Sequence, residues 1–497
     1  MALNKDKINK IFPVILFLGY LFFNGILFAL HEPWRDEANV WLLARELSPI
    51  ELFREIKYQG HPCLWYLLAM PFAKLGFPFR TIEVLSFFVM SGTALLLLWK
   101  APMNSTVKGI CLFSPVFTYF YPVIARNYCL IALLLMILAW QYPKRNENSV
   151  LYGLLLGLLV QADTIAIAEA GMISLMWLCE NIWQGLRTKN LTGSKNVLKG
   201  IWIPAASLGL WILQFYQVSD SPQFKTRDLG LSELINEVRI FAYGIFTRIT
   251  GWDNKSSLLF FVICVVILIW LSVRLKNGWA MCVFGATFLF QASFSALVYQ
   301  LHIWHYISLC FVFIWTIWVL HHQIQEKGKY DRNAKLAIGL LEAFLGILCI
   351  GMFLHWNSDE ETSNLKKAIS GQYSDAANAA EYIGENITSE ELFVSTDVPM
   401  ASTVLAYLPE YEFYFAGNGQ RETYADWSEE QSGTITLQDL TTWAEEEFPD
   451  KDEFYLLWTG DSKVEETETL EKYEVLYQTD GQTVRGEEFL IYRIPFH

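Results

Sequence analysis

Residues 31–66 read HEPWRDEANVWLLARELSPIELFREIKYQGHPCLWY, and their reading decides how the chain is built. The stretch follows directly on an apolar run, Ile11 to Leu30, long enough to cross a bilayer. It opens with an acid pair, Asp36-Glu37, and closes with Gly60-His61-Pro62. Between them, Ala38, Trp41, Leu42 and Arg45, then Leu52, Phe53 and Ile56, recur at helical spacing. That spacing predicts short amphipathic helices lying flat at a membrane surface. Two ionisable residues, Asp36 and His61, are thereby held at the bilayer edge, and the rest of the chain is expected to build a cavity around them.

The 497 residues are 53% hydrophobic and 15% aromatic, with a mean hydropathy of +0.27. The apolar residues cluster in long runs, which excludes an ordinary soluble enzyme and predicts a multi-pass helical membrane protein. The first run is read as a span and not a cleaved signal peptide, because it is long, lacks a small-residue cleavage site and is followed by repeated returns to the membrane. The net charge of −14 is concentrated after about Asn357, and no basic stripe suits nucleic acid. Seven of the eight cysteines lie in or beside apolar runs, with Cys63 in the first outer loop and none after Cys349. Their spacing suggests neither a disulfide framework nor a structural metal site.

Lys5, Lys7 and Lys10 precede the first run and place the N-terminus in the cytoplasm. Further spans are expected at Phe79–Trp99, Gly109–Tyr121, Tyr128–Trp140, Val150–Ala162, Ala166–Trp183, Gly200–Tyr216, Leu258–Val273, Trp279–Val298, a run ending near His322, and Leu336–Leu354. Leu64–Leu75, short and carrying Pro71, reads as a surface or re-entrant helix, and Leu231–Ile249 as a second interfacial helix. With about eleven spans every inner loop is basic, from Lys100 and Lys108 through Arg187, Lys189 and Lys199 to Lys327, Lys329 and Lys335. This topology gives a transmembrane domain over 1–356, with a first outer loop at 31–78. It puts residues 357–497 outside as a small α/β domain, with helix signals at Asp375–Asn386 and Met400–Leu408. Strand signals fall at Leu392–Val394, Glu453–Trp458, Tyr473–Tyr477 and Glu488–Ile494.

Several polar residues fall at predicted outer turns. Asp36 and Glu37 also suit a helix N-terminus, but they sit at headgroup depth, flanked by Trp34 and Trp41. His61 is fixed by Pro62, and Gly60 permits an unusual turn. Arg126, with Tyr128 beside it, either snorkels or clamps a lipid-linked phosphate. His302 and His305 lie on the turn YQLHIWHY, and Asp163 and Glu169 near another.

The order and sidedness of these motifs resemble the membrane-embedded GT-C glycosyltransferases, above all the protein O-mannosyltransferase-like and aminoarabinose-transferase-like families. His61-Pro62-Cys63-Leu64 resembles their HPPL stretch with Cys63 in place of the second Pro, and Ala125-Arg126-Asn127-Tyr128 their Arg-x-Tyr turn. Where the aminoarabinose-transferase type has a Lys before its Pro-Pro, this chain has His61. The resemblance implies a multi-pass GT-C fold whose residues 1–356 are catalytic, with an extracytoplasmic C-terminal domain. It implies a polyprenyl-phosphate-linked sugar donor and an envelope glycan, lipid or protein hydroxyl as acceptor. Asp36, with Glu37, would act as the catalytic acid pair, Asp36 taking the acceptor proton; His61, Arg126, Tyr128 and His305 would bind substrate phosphate, with Asp163 and Trp34 in support. The need for a divalent metal is left open, and the alternative reading is a transporter or flippase of lipid-linked sugars.

Overall fold

The computed structural model describes residues 5–188, 192–216, 229–328, 331–358, 365–370, 373–427, 434–459, 464–465 and 467–496. Lys189 and Lys329 of the predicted inner loops lie outside the described residues. The first helix, α1 (Lys5–Leu30), leads into three short helices, α2 (Arg35–Glu46), α3 (Pro49–Glu55) and α4 (Leu64–Lys74). The bundle continues with α5 (Thr81–Trp99), α6 (Ser105–Leu112), α7 (Tyr128–Gln141), α8 (Ser149–Ala162), α9 (Ile167–Thr188), α10 (Thr192–Phe215) and α11 (Leu231–Thr250). It closes with α12 (Asn254–Leu275), α13 (Trp279–Leu297), the single turn α14 (Ile303–Tyr306), α15 (Ser308–Glu326) and α16 (Arg332–Ser358). Among the described residues, eight helices are long and apolar enough to cross a membrane. Three of the eleven expected spans fall short of that length. α7 and α8, at 14 residues each, reach roughly 21 Å. The span expected over Gly109–Tyr121 is broken after Leu112 and resumes as a π-helical turn at Val116–Phe120, where Pro115 cannot continue the α-helical ladder.

Helix α15 is apolar around its whole circumference and buried along almost its whole length, so it forms the centre of the bundle. At the periphery α8 and α10 touch backbone to backbone: a Cβ on Gly153 would strike the carbonyl of Gly200, and one on Gly200 that of Ser149. This contact fixes α8, whose C-terminal end delivers Asp163.

The C-terminal region contains α17 (Leu365–Ser370), α18 (Ala376–Asn386), β1 (Phe393–Ser395), α19 (Val398–Tyr407), β2 (Phe413–Phe415), β3 (Arg421–Glu422), β4 (Ile435–Thr436) and α20 (Leu437–Glu447). Then follow β5 (Glu453–Thr459), β6 (Val464–Glu465), β7 (Glu474–Gln478) and β8 (Phe489–Pro495). Six strands form a mixed sheet in the order β3-β2-β1-β5-β8-β7, with β1 parallel to β2 and β5 and β8 antiparallel to β5 and β7. The expected strands and helices are present; α17, β2, β3, β4, α20 and β6 are additional.

A further expectation is corrected. α2 does not lie flat at an open surface, since every residue from Glu37 to Ala44 is buried. Its outward face is covered by the C-terminal region: the Asn39 amide donates to the Ala425 carbonyl (3.1 Å) and accepts from the Ala425 N–H (2.9 Å), and Glu487 Oε1 accepts the Arg35 N–H (2.9 Å). The C-terminal region therefore sits on the same side of the bundle as the 31–66 loop, and one continuous hydrophobic core runs through both.

Candidate active site

The 31–66 loop is assembled around Glu37. Its Oε2 accepts the Trp34 N–H (3.0 Å) and lies 3.1 Å from His31 Nε2, and its Oε1 accepts the Ala125 N–H (2.5 Å). Glu37 thus caps α2 and ties it to the 125–128 turn. It is fully buried and does not border the cavity, so its position is that of a scaffold, not of the second cavity acid that the sequence suggested.

Asp36, one residue earlier, points the other way, into a cavity of about 300 Å³. Trp34, His61, Arg126, Tyr128, Asp163 and His305 border the same cavity, so seven of the eight expected site residues meet there. They arrive from the α2 N-terminus, the turn before α4, the turn before α7, the α8–α9 junction and α14. Glu169, within α9, is fully buried and outside the cavity lining.

The polar groups form one ordered chain. Asp163 Oδ1 accepts the Ile165 N–H (2.8 Å), and its Oδ2 accepts Asn127 Nδ2 (2.6 Å) and His61 Nδ1 (3.1 Å). Arg126 Nη2 lies 2.8 Å from His61 Nε2, and because arginine only donates, that nitrogen accepts. His61 is therefore a neutral imidazole with its proton on Nδ1. Arg126 Nη1 donates to Asp36 Oδ2. Asp36 Oδ1 has no hydrogen-bond partner among the described residues, and Asp36 lines the cavity. Burial would raise the Asp36 carboxyl, but Arg126, Arg35 and Arg485 outweigh it and hold the group below its ordinary value. Asp163 likewise stays ionised against its burial, through His61 and the Ile165 N–H.

On the opposite wall His305 Nδ1 accepts the His302 N–H (2.9 Å), leaving Nε2 to donate to the Tyr128 hydroxyl (2.9 Å). His305 is thus also neutral, and Tyr128 stacks on Tyr121 with ring centroids 5.8 Å apart. Among the described residues no group of three or more His, Cys, Asp or Glu is placed to hold a metal ion. Asp163 has both oxygens held by donors and is separated from Asp36 by Arg126 and His61, so the two carboxylates do not converge on a divalent ion.

Lining residues that escaped the sequence reading include Arg35, Trp427 and Arg485. Trp427 has a left-handed backbone (φ 59°) and donates its indole N–H to Gln59 Oε1 (3.2 Å). Arg35 was legible as the neighbour of Asp36. Nothing local in the sequence signals that the segments around Trp427 and Arg485 fold back onto the first loop.

No family model matches the sequence, and no curated protein matches it. Among solved structures the chain is similar to ArnT from Cupriavidus metallidurans in the apo state, with 12% identity over 97% of each chain and a TM-score of 0.54. It is equally similar to the same protein bound to undecaprenyl phosphate, with 11% identity, 97% coverage of each chain and a TM-score of 0.54. At this identity the likeness is one of fold, and it extends through the C-terminal region. The chain is a multi-pass helical membrane protein that shares its fold with ArnT from Cupriavidus metallidurans and carries a small C-terminal sheet.

Proposed function

We propose that this protein is a membrane glycosyltransferase that moves a sugar from a polyprenyl-phosphate-linked donor to an acceptor hydroxyl on the outer face of the membrane. The observation that carries this reading is Asp36 on the cavity wall, its Oδ2 held by Arg126 and its Oδ1 without a partner among the described residues, in a fold shared with a protein crystallised with undecaprenyl phosphate. The donor carbon becomes oxocarbenium-like as its bond to phosphate breaks, and a fixed carboxylate stabilises that charge. The acceptor oxygen attacks the anomeric carbon, its proton passes to Asp36 Oδ1, and the bonding pair of the broken C–O bond leaves on the phosphate. Asp163 has both oxygens held by donors, so among the described residues Asp36 alone of the lining carboxylates has a free oxygen. This supports a single displacement with inversion at the anomeric carbon.

Asp163 fixes the His61 tautomer, His61 fixes Arg126, and Arg126 fixes Asp36 and keeps it ionised. The donor enters sideways from lipid, which accounts for a site built without a nucleotide-binding loop. The basic loops between the spans support a cytoplasmic N-terminus and an extracytoplasmic region 357–497. The reading is tested by incubating the purified protein with radiolabelled polyprenyl-phosphate sugars and cell envelopes. Label should move to an envelope component with wild type and not with Asp36→Asn; label that crosses sealed vesicles without covalent transfer favours a flippase and defeats the proposal.

A further inference from the structure

Arg126 is the obvious partner for a phosphate, yet its two terminal nitrogens are taken by Asp36 and His61. Another guanidinium on the cavity wall is less occupied. Arg485 lies on the loop between β7 and β8, and it reaches the membrane half of the molecule from the far end of the sequence. The loop is built to deliver it. Thr483 donates through its N–H and hydroxyl to Glu488 Oε1 (2.5 and 3.0 Å), Glu487 N–H donates to the Thr483 hydroxyl (2.8 Å), and Gly486 takes a left-handed turn (φ 66°) directly after the arginine.

The guanidinium stands 4.1 Å from the ring centroid of Trp34 and 4.8 Å from that of Trp304. Its Nε and Nη2 donate to the Tyr373 hydroxyl (2.8 and 2.6 Å). Two indole rings lie within cation–π distance of the guanidinium and do not neutralise it. No carboxylate pairs with Arg485, and its Nη1 has no partner, among the described residues. The lining as a whole carries three arginines, at 35, 126 and 485, against two aspartates, at 36 and 163, with the two hydrogen-bonded histidines neutral. The excess of one positive charge matches the single negative charge of a phosphodiester.

We infer that Arg485 binds the donor's phosphate and stabilises it as it leaves, so that the C-terminal region completes the active site. The inference rests on the proposed glycosyl transfer. A planar guanidinium with a free edge is suited to phosphate oxygens, and the charge it faces grows as the diester becomes a monoester.

The test measures binding of undecaprenyl phosphate and of the neutral alcohol undecaprenol to full-length protein in detergent, for wild type, Arg485→Gln and Arg485→Lys. Arg485→Gln should weaken the phosphate about ten- to a hundredfold and leave the alcohol unchanged, with Arg485→Lys between. In turnover, KM for the donor should rise and KM for the acceptor stay constant. Unchanged phosphate binding, equal loss of phosphate and alcohol, or an effect confined to the acceptor would each overturn the inference and leave the proposed transfer intact. Wild type that binds neither lipid would instead defeat the transfer reading itself.

Discussion

Replacing Asp36 with Asn separates the chemistry of the site from its architecture. The amide keeps the shape of the carboxylate and an oxygen that can still accept from Arg126. It removes the negative charge and the proton acceptor at Oδ1. Loss of a positioned base alone costs about 10²–10⁴ in rate, and loss of the charge facing the anomeric carbon adds to it. The structural cost is small: the Asp36 side chain keeps 23% of its surface exposed, and Arg126 retains His61 and stacks 5.7 Å from the Tyr128 ring centroid. A partly exposed ion pair of this kind contributes about 1 kcal/mol. Glu37→Gln supplies the opposite case. Both of its oxygens accept backbone or imidazole donors, so an amide NH2 there faces other donors, at a cost of about 2–4 kcal/mol. Single-turnover release of polyprenyl phosphate, measured beside thermal unfolding in detergent, should therefore show Asp36→Asn with at least a hundredfold slower chemistry and a melting temperature near wild type. Glu37→Gln should melt earlier, with rate per folded molecule much closer to wild type. Asp36→Asn within about fivefold of wild type would refute the assignment of the base.

Asp163→Asn should slow transfer by about ten- to a hundredfold without removing any group from the reaction, because the amide offers one acceptor oxygen to donors that now occupy two and so no longer fixes the His61 ring that positions Arg126; the check is kcat with donor KM, and an unchanged kcat counts against the relay. Gly200→Leu should force α8 and α10 apart and lower expression and melting temperature sharply, whereas Gly209→Leu, with open space around it, should be tolerated; equal behaviour would contradict the backbone contact. The Glu487 carboxyl is pushed up to about 7 by burial, so the folded state holds a proton that the unfolded chain releases near 4.3. Stability from this group is full below about 4.3 and is lost as pH rises toward 7, and Glu487→Gln should flatten that part of the pH–melting curve. Asp36, held below its ordinary value, predicts that the acidic limb of the rate profile lies below about pH 4, the usual aspartate range.

The membrane helices were legible because a span must be long, apolar and bounded by charge, and α1, α5, α12, α13 and α16 are all of these. α6 was misread as one unbroken span because hydropathy does not register the break before Pro115. Asp36 and His61 stood out as ionisable residues beside apolar runs. Glu37 could not be told from Asp36 by type or position, yet successive helix residues point about 100° apart, and only the packed structure shows which one faces the cavity. α20 carried a readable signal, with Leu437, Leu440 and Ala444 at helical spacing behind a Thr436 cap. Arg485 and Trp427 carried none. Their roles depend on contacts with residues hundreds of positions away, such as Arg485 with Trp34 and Trp427 with Gln59. For the same reason the burial of α2 was invisible: Asn39 and Val40 look outward-facing until Ala425 and α19 cover them.

The most direct measurement is release of free polyprenyl phosphate by purified protein in detergent, where transport has no meaning, across a panel of radiolabelled polyprenyl-phosphate sugars. Wild type should release the lipid phosphate from one donor class, by transfer or slow hydrolysis, and Asp36→Asn should not. Release by both proteins alike, or by neither while the lipid phosphate still binds, would contradict a sugar transfer carried out at Asp36.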